Sequence, residues 1–274
     1  MKISHLGPAG TYTEAAARLY SDVAELITYP TVPDVIQSVI VDNSDVAVCA
    51  FENSIAGTVS IETIDLLLKT DFPLKICGEV VLKIQHGLIA KTGTTIESIR
   101  TVYSHPSALA QCHTTLGKIL PNATRVALSS TTAAVEAATT NDGSAAIAGA
   151  AAAHQYNAEI LLPDIGDERQ NATRFLVLSK QATRPSGDDK TTLVFTTSDA
   201  QESGSLVKVL QLFAERKINL SRIESRPTRQ QLGNYVFSID IHGHEKDDDV
   251  GQALAEISEY TSWVNVLGSY PRWK

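Results

Sequence analysis

Lys2-Ile3-Ser4-His5-Leu6-Gly7-Pro8-Ala9-Gly10-Thr11-Tyr12-Thr13-Glu14 joins a short strand to a helix through a glycine–proline turn. Thr11 with Glu14 three residues on is the spacing of a capping box, and Tyr12, Ala15, Ala16 and Leu19 share one helical face. A helix start leaves backbone N–H groups without acceptors, so such a turn serves equally as a plain connection or as a place to hold an anion. The pattern returns. Val32, Val35, Ile36, Val39 and Ile40 repeat at helical spacing, and Val46 to Phe51 is a continuous apolar run of the kind found in buried strands. Glu52-Asn53-Ser54-Ile55-Ala56-Gly57-Thr58 leaves that strand before the next helical stripe, Ile61, Ile64, Leu67 and Leu68. Strand, polar turn and helix in repetition predict a mainly parallel α/β sheet, or two such lobes, with ligand groups gathered at strand ends.

Further along, Leu74 to Ala90 reads as one or two strands crossing into another lobe, with His86 in an apolar setting that favours a structural role. Pro106 suits a first helical position with Ser104 or His105 as cap, and Leu109, Cys112, Leu116 and Leu120 form a buried stripe. Ser129-Ser130-Thr131-Thr132 starts an alanine-rich helix, Ala145 to Ala148 is a short strand, and Gly149 to Tyr156 a helix of small residues. Asp167 to Phe175 then places an amide, a hydroxyl and a cation, Asn171, Thr173 and Arg174, ahead of the apolar run Phe175 to Leu178. Polar groups at the mouth of a strand suit ligand contact, although a solvated loop explains them too. Asn171-Ala172-Thr173 also forms a glycosylation triplet, which matters only in a secretory compartment.

The 274 residues allow one large or two ordinary domains, and 43% apolar residues support packed cores. No apolar signal region opens the chain and no run is long enough to span a bilayer, which predicts a cytoplasmic protein without a membrane. Cys49, Cys77 and Cys112 are too few and too far apart for a disulfide framework or a CxxC metal site, so reduced core thiols are expected. A net charge of −8 argues against nucleic acid. An anionic substrate must then be met locally, by an arginine or by helix starts.

Ser179 to Lys190 carries Ala182 as its one apolar residue and reads as a linker, dividing the chain into domains 1–182 and 190–274. After it come a strand (192–196), a helix (204–216), two strands (218–225 and 235–241), a helix (247–260) and a strand (264–270). This βαββαβ order predicts a ferredoxin-like small domain.

Four blocks, Gly7 to Glu14, Glu52 to Val59, Ser104-His105-Pro106 with Ala108 to Gln111, and Asn171 to Phe175, together resemble the prephenate dehydratases. The second domain resembles an ACT domain, a small amino-acid-sensing module. The resemblance implies a two-lobed, periplasmic-binding-protein-like catalytic domain and the conversion of prephenate to phenylpyruvate, water and carbon dioxide, with no cofactor and no metal. It implies Thr173 and Arg174 as catalytic residues, Thr173 giving a proton to the leaving hydroxyl or positioning the group that does, and Arg174 meeting a substrate carboxylate. Thr11, Asn53, Ser54, Ser104, Ser130, Thr131, Asn171 and Phe175 are then substrate-binding. Gly204, Ser205, Leu206 and Val207, with Asn219, Leu220, Glu224, Ser225, Arg226 and Pro227, would bind L-phenylalanine as allosteric effector. ACT domains pair between subunits, which implies a homodimer or homotetramer. No stretch is left for the helical chorismate mutase domain that some relatives carry in front, so a monofunctional enzyme is expected. Phe51, Ala56 and Ser205 depart from the residues usual in the family. The motifs do not separate prephenate from arogenate as substrate, and a non-catalytic two-lobed amino-acid sensor is the reading from another class.

Overall fold

The computed structural model describes residues 1–69, 72–199, 202–228 and 234–274. The chain begins β1 (Lys2–Leu6), α1 (Tyr12–Tyr20), β2 (Glu25–Tyr29), α2 (Val32–Ile40), β3 (Val46–Asn53), β4 (Gly57–Thr58), α3 (Ile61–Leu67) and β5 (Lys75–Lys83). It continues through β6 (Gly87–Ala90), β7 (Thr101–Ser104), α4 (Pro106–Gln111), α5 (His113–Ile119), β8 (Thr124–Ala127), α6 (Thr131–Thr140), β9 (Ser144–Ala148), α7 (Ala150–Gln155) and β10 (Glu159–Leu162) before β11 (Ala172–Ser179). The remainder is β12 (Asp189–Thr197), α8 (Ser205–Glu215), β13 (Leu220–Pro227), β14 (Tyr235–His242), α9 (Asp248–Glu256) and β15 (Thr261–Pro271).

The first sheet has the order β2-β1-β3-β11-β5, with β1 parallel to both β2 and β3. Ile3, Val35, Val39, Ala47 and Val48 are buried around it, as the continuous apolar runs require of strands covered by helices. The second sheet has the order β10-β6-β9-β7-β8. Leu88, Val102, Leu116 and Ile147 fill one cluster beside it, and Ile89, Val135 and Ala146 share another with Ala134, Ala138 and Ala152.

Strands β2 and β8 are absent from the sequence reading. Both lie at sheet edges, are only partly buried and carry mixed polarity, so neither leaves a clear apolar run. The stripe through Leu109 and Leu120 belongs to two helices, α4 and α5, which break at Cys112. Asp167 caps the second: its carboxylate accepts the backbone amides of Thr114 and Thr115, each at 2.8 Å. Burial works to raise the Asp167 pKa, but these amides and the Thr115 hydroxyl leave it below the ordinary value.

The chain forms two compact units, residues 1–61 with 80–175, and residues 62–79 with 176–274. Segment 62–79, counted with the first domain on sequence, sits in the second unit for specific reasons. The buried Glu79 carboxylate accepts both from Lys190 Nζ, at 2.8 and 2.9 Å, and from the Trp273 amide. Lys75 Nζ reaches the Val266 carbonyl at 2.6 Å, and Gly268 approaches the Ile76 backbone so closely that a Cβ there would lie 2.2 Å from its oxygen.

The second unit carries the expected βαββαβ order, as a sheet β13-β14-β12-β15. Leu193, Phe195, Val209, Phe213, Ile239, Ile241 and Ile257 form its core. The linker is partly tied down: the Thr183 hydroxyl donates to the Ser269 carbonyl, and Ser186 holds the Asp189 carboxylate.

Candidate active site

Within the first unit, a cleft of about 360 Å³ is lined from one lobe by Leu6, Thr11, Tyr12, Asn53, Thr173 and Phe175, and from the other by His86, His105, Ser107, Gln111, Ser130 and Thr131. Three helix starts meet there. Thr11 caps α1 by accepting from the Glu14 amide, His105 caps α4 through Ser107, and Ser130 caps α6 by accepting from the Ala133 amide. Among the described residues, no Lys, Arg, Asp or Glu lines the cleft. The N-terminal ends of these helices are groups of a kind that attract anions without a mobile cation.

Thr173, Phe175 and Arg174 are separated by strand geometry. Successive β-strand side chains point to opposite faces, so Thr173 and Phe175 face the cleft and Arg174 does not. Arg174 is 5% exposed; its Nε pairs with Glu52 at 2.9 Å and its guanidinium lies 4.9 Å from the Phe51 ring centroid. The sequence reading set Arg174 against a substrate carboxylate; the structure gives its charge to Glu52 on the neighbouring strand.

Of the other expected contacts, Thr11, Asn53, Ser130 and Thr131 line the cleft and three do not. Ser104 is fully buried and donates to the Ile147 carbonyl at 2.6 Å, tying β7 to β9. Ser54 donates to the Gln170 carbonyl and accepts from the Ala172 amide, which pins the 53–56 turn to β11. Asn171 is 3% exposed and stands behind the lining, between Asn53 at 2.7 Å and Gln111 at 2.9 Å. So buried a side chain offers no surface for a sugar.

Asn53 is fixed in orientation by groups that only donate. Its Oδ1 accepts the backbone amides of Ile55 and Ala56 at 3.0 and 2.9 Å, so Nδ2 must face Asn171, the Ala172 carbonyl and Thr173. An amide nitrogen cannot accept a hydrogen bond. At 3.0 Å, Nδ2 therefore donates to Thr173 Oγ1, and the Thr173 proton is left for the cleft.

Gln111, His105, Ser107, Tyr12 and His86 also line the cleft and were not singled out as ligand contacts on sequence. Gln111 is the last residue of α4, where helical period alone does not distinguish a cleft contact from a surface amide. His86 is 4% exposed, and burial holds its pKa below the ordinary value against the raising effect of its bond to Gln111. Cys49 and Cys112 are buried thiols, each pushed up to about 12 by burial, which makes them poor nucleophiles. Among the described residues, no group of His, Cys, Asp and Glu is arranged to hold a metal ion, and no helix is long and apolar enough to cross a membrane.

In the second unit, Gly204 caps α8 in a left-handed conformation, with φ +85°. Leu206 packs on the core and Val207 is exposed. Asn219 lies beside His242, with its Nδ2 3.3 Å from the ring nitrogen. Leu220 begins the edge strand β13, on which Glu224 pairs with Arg222 and Arg226 lies 3.9 Å from Asp65. Ser225 and Pro227 are exposed on it and Ser205 is half-buried.

Fold and site thus define an α/β enzyme with a two-lobed cleft, followed by a small domain of the kind that senses amino acids. The family model for prephenate dehydratase matches residues 3–183, and that for the ACT domain matches residues 186–259. A bifunctional chorismate mutase/prephenate dehydratase of Neisseria gonorrhoeae is 41% identical over 99% of this chain and 74% of its own length. Arogenate dehydratase 5 of Arabidopsis thaliana is 36% identical over 99% of this chain and 67% of its own. Among solved structures, the Arthrobacter aurescens prephenate dehydratase in complex with L-Phe has a TM-score of 0.89 at 35% identity, covering 99% of this chain and 90% of that one. A protein described as a novel type of quorum quenching acylase has a TM-score of 0.88 at 27% identity, covering 100% and 98%. The chain belongs to the prephenate dehydratase family and carries an ACT domain after the catalytic part.

Proposed function

We propose that this chain converts prephenate to phenylpyruvate, water and carbon dioxide, with Thr173 as the group that meets the leaving hydroxyl. The observation that carries this is the hydrogen-bond direction at Thr173: its oxygen receives Asn53 Nδ2, so its proton is available to the cleft. As the ring carboxylate leaves as carbon dioxide, its bonding pair enters the ring and the 4-hydroxyl departs as water with the donated proton. The proton is made good from solvent. Asn53 stabilises the negative charge that grows on Thr173 Oγ1 as the proton leaves, through a preorganised hydrogen bond. The helix starts at Thr11 and Ser130 face the carboxylates.

The acylase reading asks for a nucleophile beside a general base. Among the described residues no imidazole or carboxylate hydrogen-bonds to Thr173, which favours a proton donor over a nucleophile. Arogenate differs from prephenate by an amino group in place of the keto group and stays the alternative substrate.

Phenylalanine acts through the ACT domain by binding one of two conformations more tightly. Two features support pairing of these domains between subunits: β13 is an edge strand, and Ile223 and Val207 are exposed. The cytoplasm is the compartment expected for such an enzyme, in keeping with three free cysteines. Ultraviolet detection of phenylpyruvate from prephenate, run beside arogenate and with added L-phenylalanine, tests the whole reading. Turnover of neither substrate would sink it; turnover untouched by L-phenylalanine would sink the regulatory part.

A further inference from the structure

The hydrogen-bond direction set by the 53–56 turn does not stop at Thr173. Asn53 Nδ2 also donates to Asn171, so the Asn171 atom facing it is Oδ1 and the Asn171 amide nitrogen faces Gln111. That nitrogen donates to Gln111 Oε1 at 2.9 Å. The same Gln111 oxygen lies 2.8 Å from His86 Nε2, and an oxygen facing a ring nitrogen requires that nitrogen to carry the hydrogen. Backbone amides at Ile55 and Ala56 thereby dictate a tautomer in the other lobe. On the far side of the ring, the Tyr12 hydroxyl donates to the Gln85 carbonyl at 2.6 Å and lies 3.2 Å from His86 Nδ1, and the Tyr12 ring meets the imidazole edge-on at 5.9 Å.

We propose that His86, held as its Nε2–H tautomer by Gln111 Oε1 and packed edge-on against the Tyr12 ring, is a positioning residue: with Asn171 it clamps Gln111 so that the Gln111 amide nitrogen is presented to the cleft. Gln111 Oε1 is used twice, by Asn171 and His86, while its Nε2 makes no hydrogen bond to protein among the described residues. A glutamine side chain has three rotatable bonds, and two fixed donors on one oxygen select the orientation of its amide. The inference rests on the dehydratase reading for its kinetic consequence, though the tautomer itself does not.

The variants His86→Gln, His86→Asn and His86→Leu in the full chain test the clamp. Glutamine places an N–H donor near the position of Nε2, whereas asparagine reaches only as far as Nδ1. Expected are losses in kcat/KM on prephenate of about 10- to 100-fold for leucine and asparagine, as misplacement of a contact group costs, and recovery to within about 5-fold for glutamine. Because His86 acts through Gln111, adding His86→Leu to Gln111→Ala should cause little further loss. Losses that multiply in the double variant, or glutamine as damaging as leucine in a protein of unchanged Tm, would overturn the proposal. Independently of activity, nitrogen-15 spectra of the ligand-free protein should show His86 with Nε2–H and a bare Nδ1. An Nδ1–H tautomer would overturn the clamp even in an active enzyme. Wild-type protein that turns over no prephenate while showing the Nε2–H tautomer would count against the function and leave the clamp standing.

Discussion

Asn53 donates from Nδ2 to the Thr173 hydroxyl oxygen at 3.0 Å, across 120 residues of sequence, and this bond decides which way the Thr173 proton points. Replacing Asn53 by aspartate keeps the acceptor for the Ile55 and Ala56 amides but puts a second acceptor against Thr173. The threonine proton would then turn to the carboxylate. We expect Asn53→Asp to lower kcat by about 10²-fold or more, within the range of general-acid contributions, and to lower Tm as well, because the new carboxylate oxygen faces the Asn171 and Ala172 oxygens where an N–H donor stood. Steady-state kinetics and a thermal melt check this, and kcat within 3-fold of wild type, on the order of experimental scatter beside that loss, would contradict it.

Thr173→Val keeps shape and removes the proton, so kcat should fall about 10²- to 10⁴-fold, while Thr173→Ser should retain most of it. The comparison of the two separates chemistry from packing. Equal losses would move the donor role elsewhere in the cleft.

Arg174 is expected to matter for stability more than for substrate affinity. Arg174→Met removes the ion pair with Glu52 and the contact with Phe51; because the Glu52 side chain is 33% exposed, the cost should be about 2 kcal/mol, below that of a fully buried pair. Denaturant unfolding measures it. A large rise in KM with unchanged stability would return Arg174 to the substrate.

His5 and His86 both have pKa values lowered by burial. A histidine held neutral in the folded state binds fewer protons than in the unfolded chain, so its contribution is whole above the unfolded value of about 6.5 and declines as pH falls below it. Tm should drop between about pH 6.5 and the lower folded values, and His86→Gln should flatten that drop. A Tm independent of pH over this window would contradict the assignment.

Gly268→Ala would put a methyl group 2.2 Å from the Ile76 carbonyl oxygen, and backbone cannot swing aside as a flexible side chain can. A loss of about 3 kcal/mol or more is expected from forced overpacking, read as a lower denaturant midpoint. A near-neutral effect would mean that the 62–79 segment is free to shift.

Much of this was legible along the chain. The caps at Thr11 and Ser130, the helical stripe from Val32 to Ile40 and the buried strand from Val46 depend on residues a few positions apart, where period and side-chain chemistry act directly. The edge strands Glu25–Tyr29 and Thr124–Ala127 were silent because half-buried edges need no continuous apolar run.

The sequence by itself determined the α/β character, the βαββαβ small domain and the blocks that mark the family, because dihedral preference, capping and hydrophobic period are local. Tertiary structure alone decided that Thr173 faces the cleft while Arg174 turns to Glu52, and that Ser104 is spent on the Ile147 carbonyl. It also brought Asn53, Asn171, Gln111 and His86 into one directed chain. Those meetings close loops of 25 to 118 residues, and no local preference encodes which side chains arrive together when such loops close.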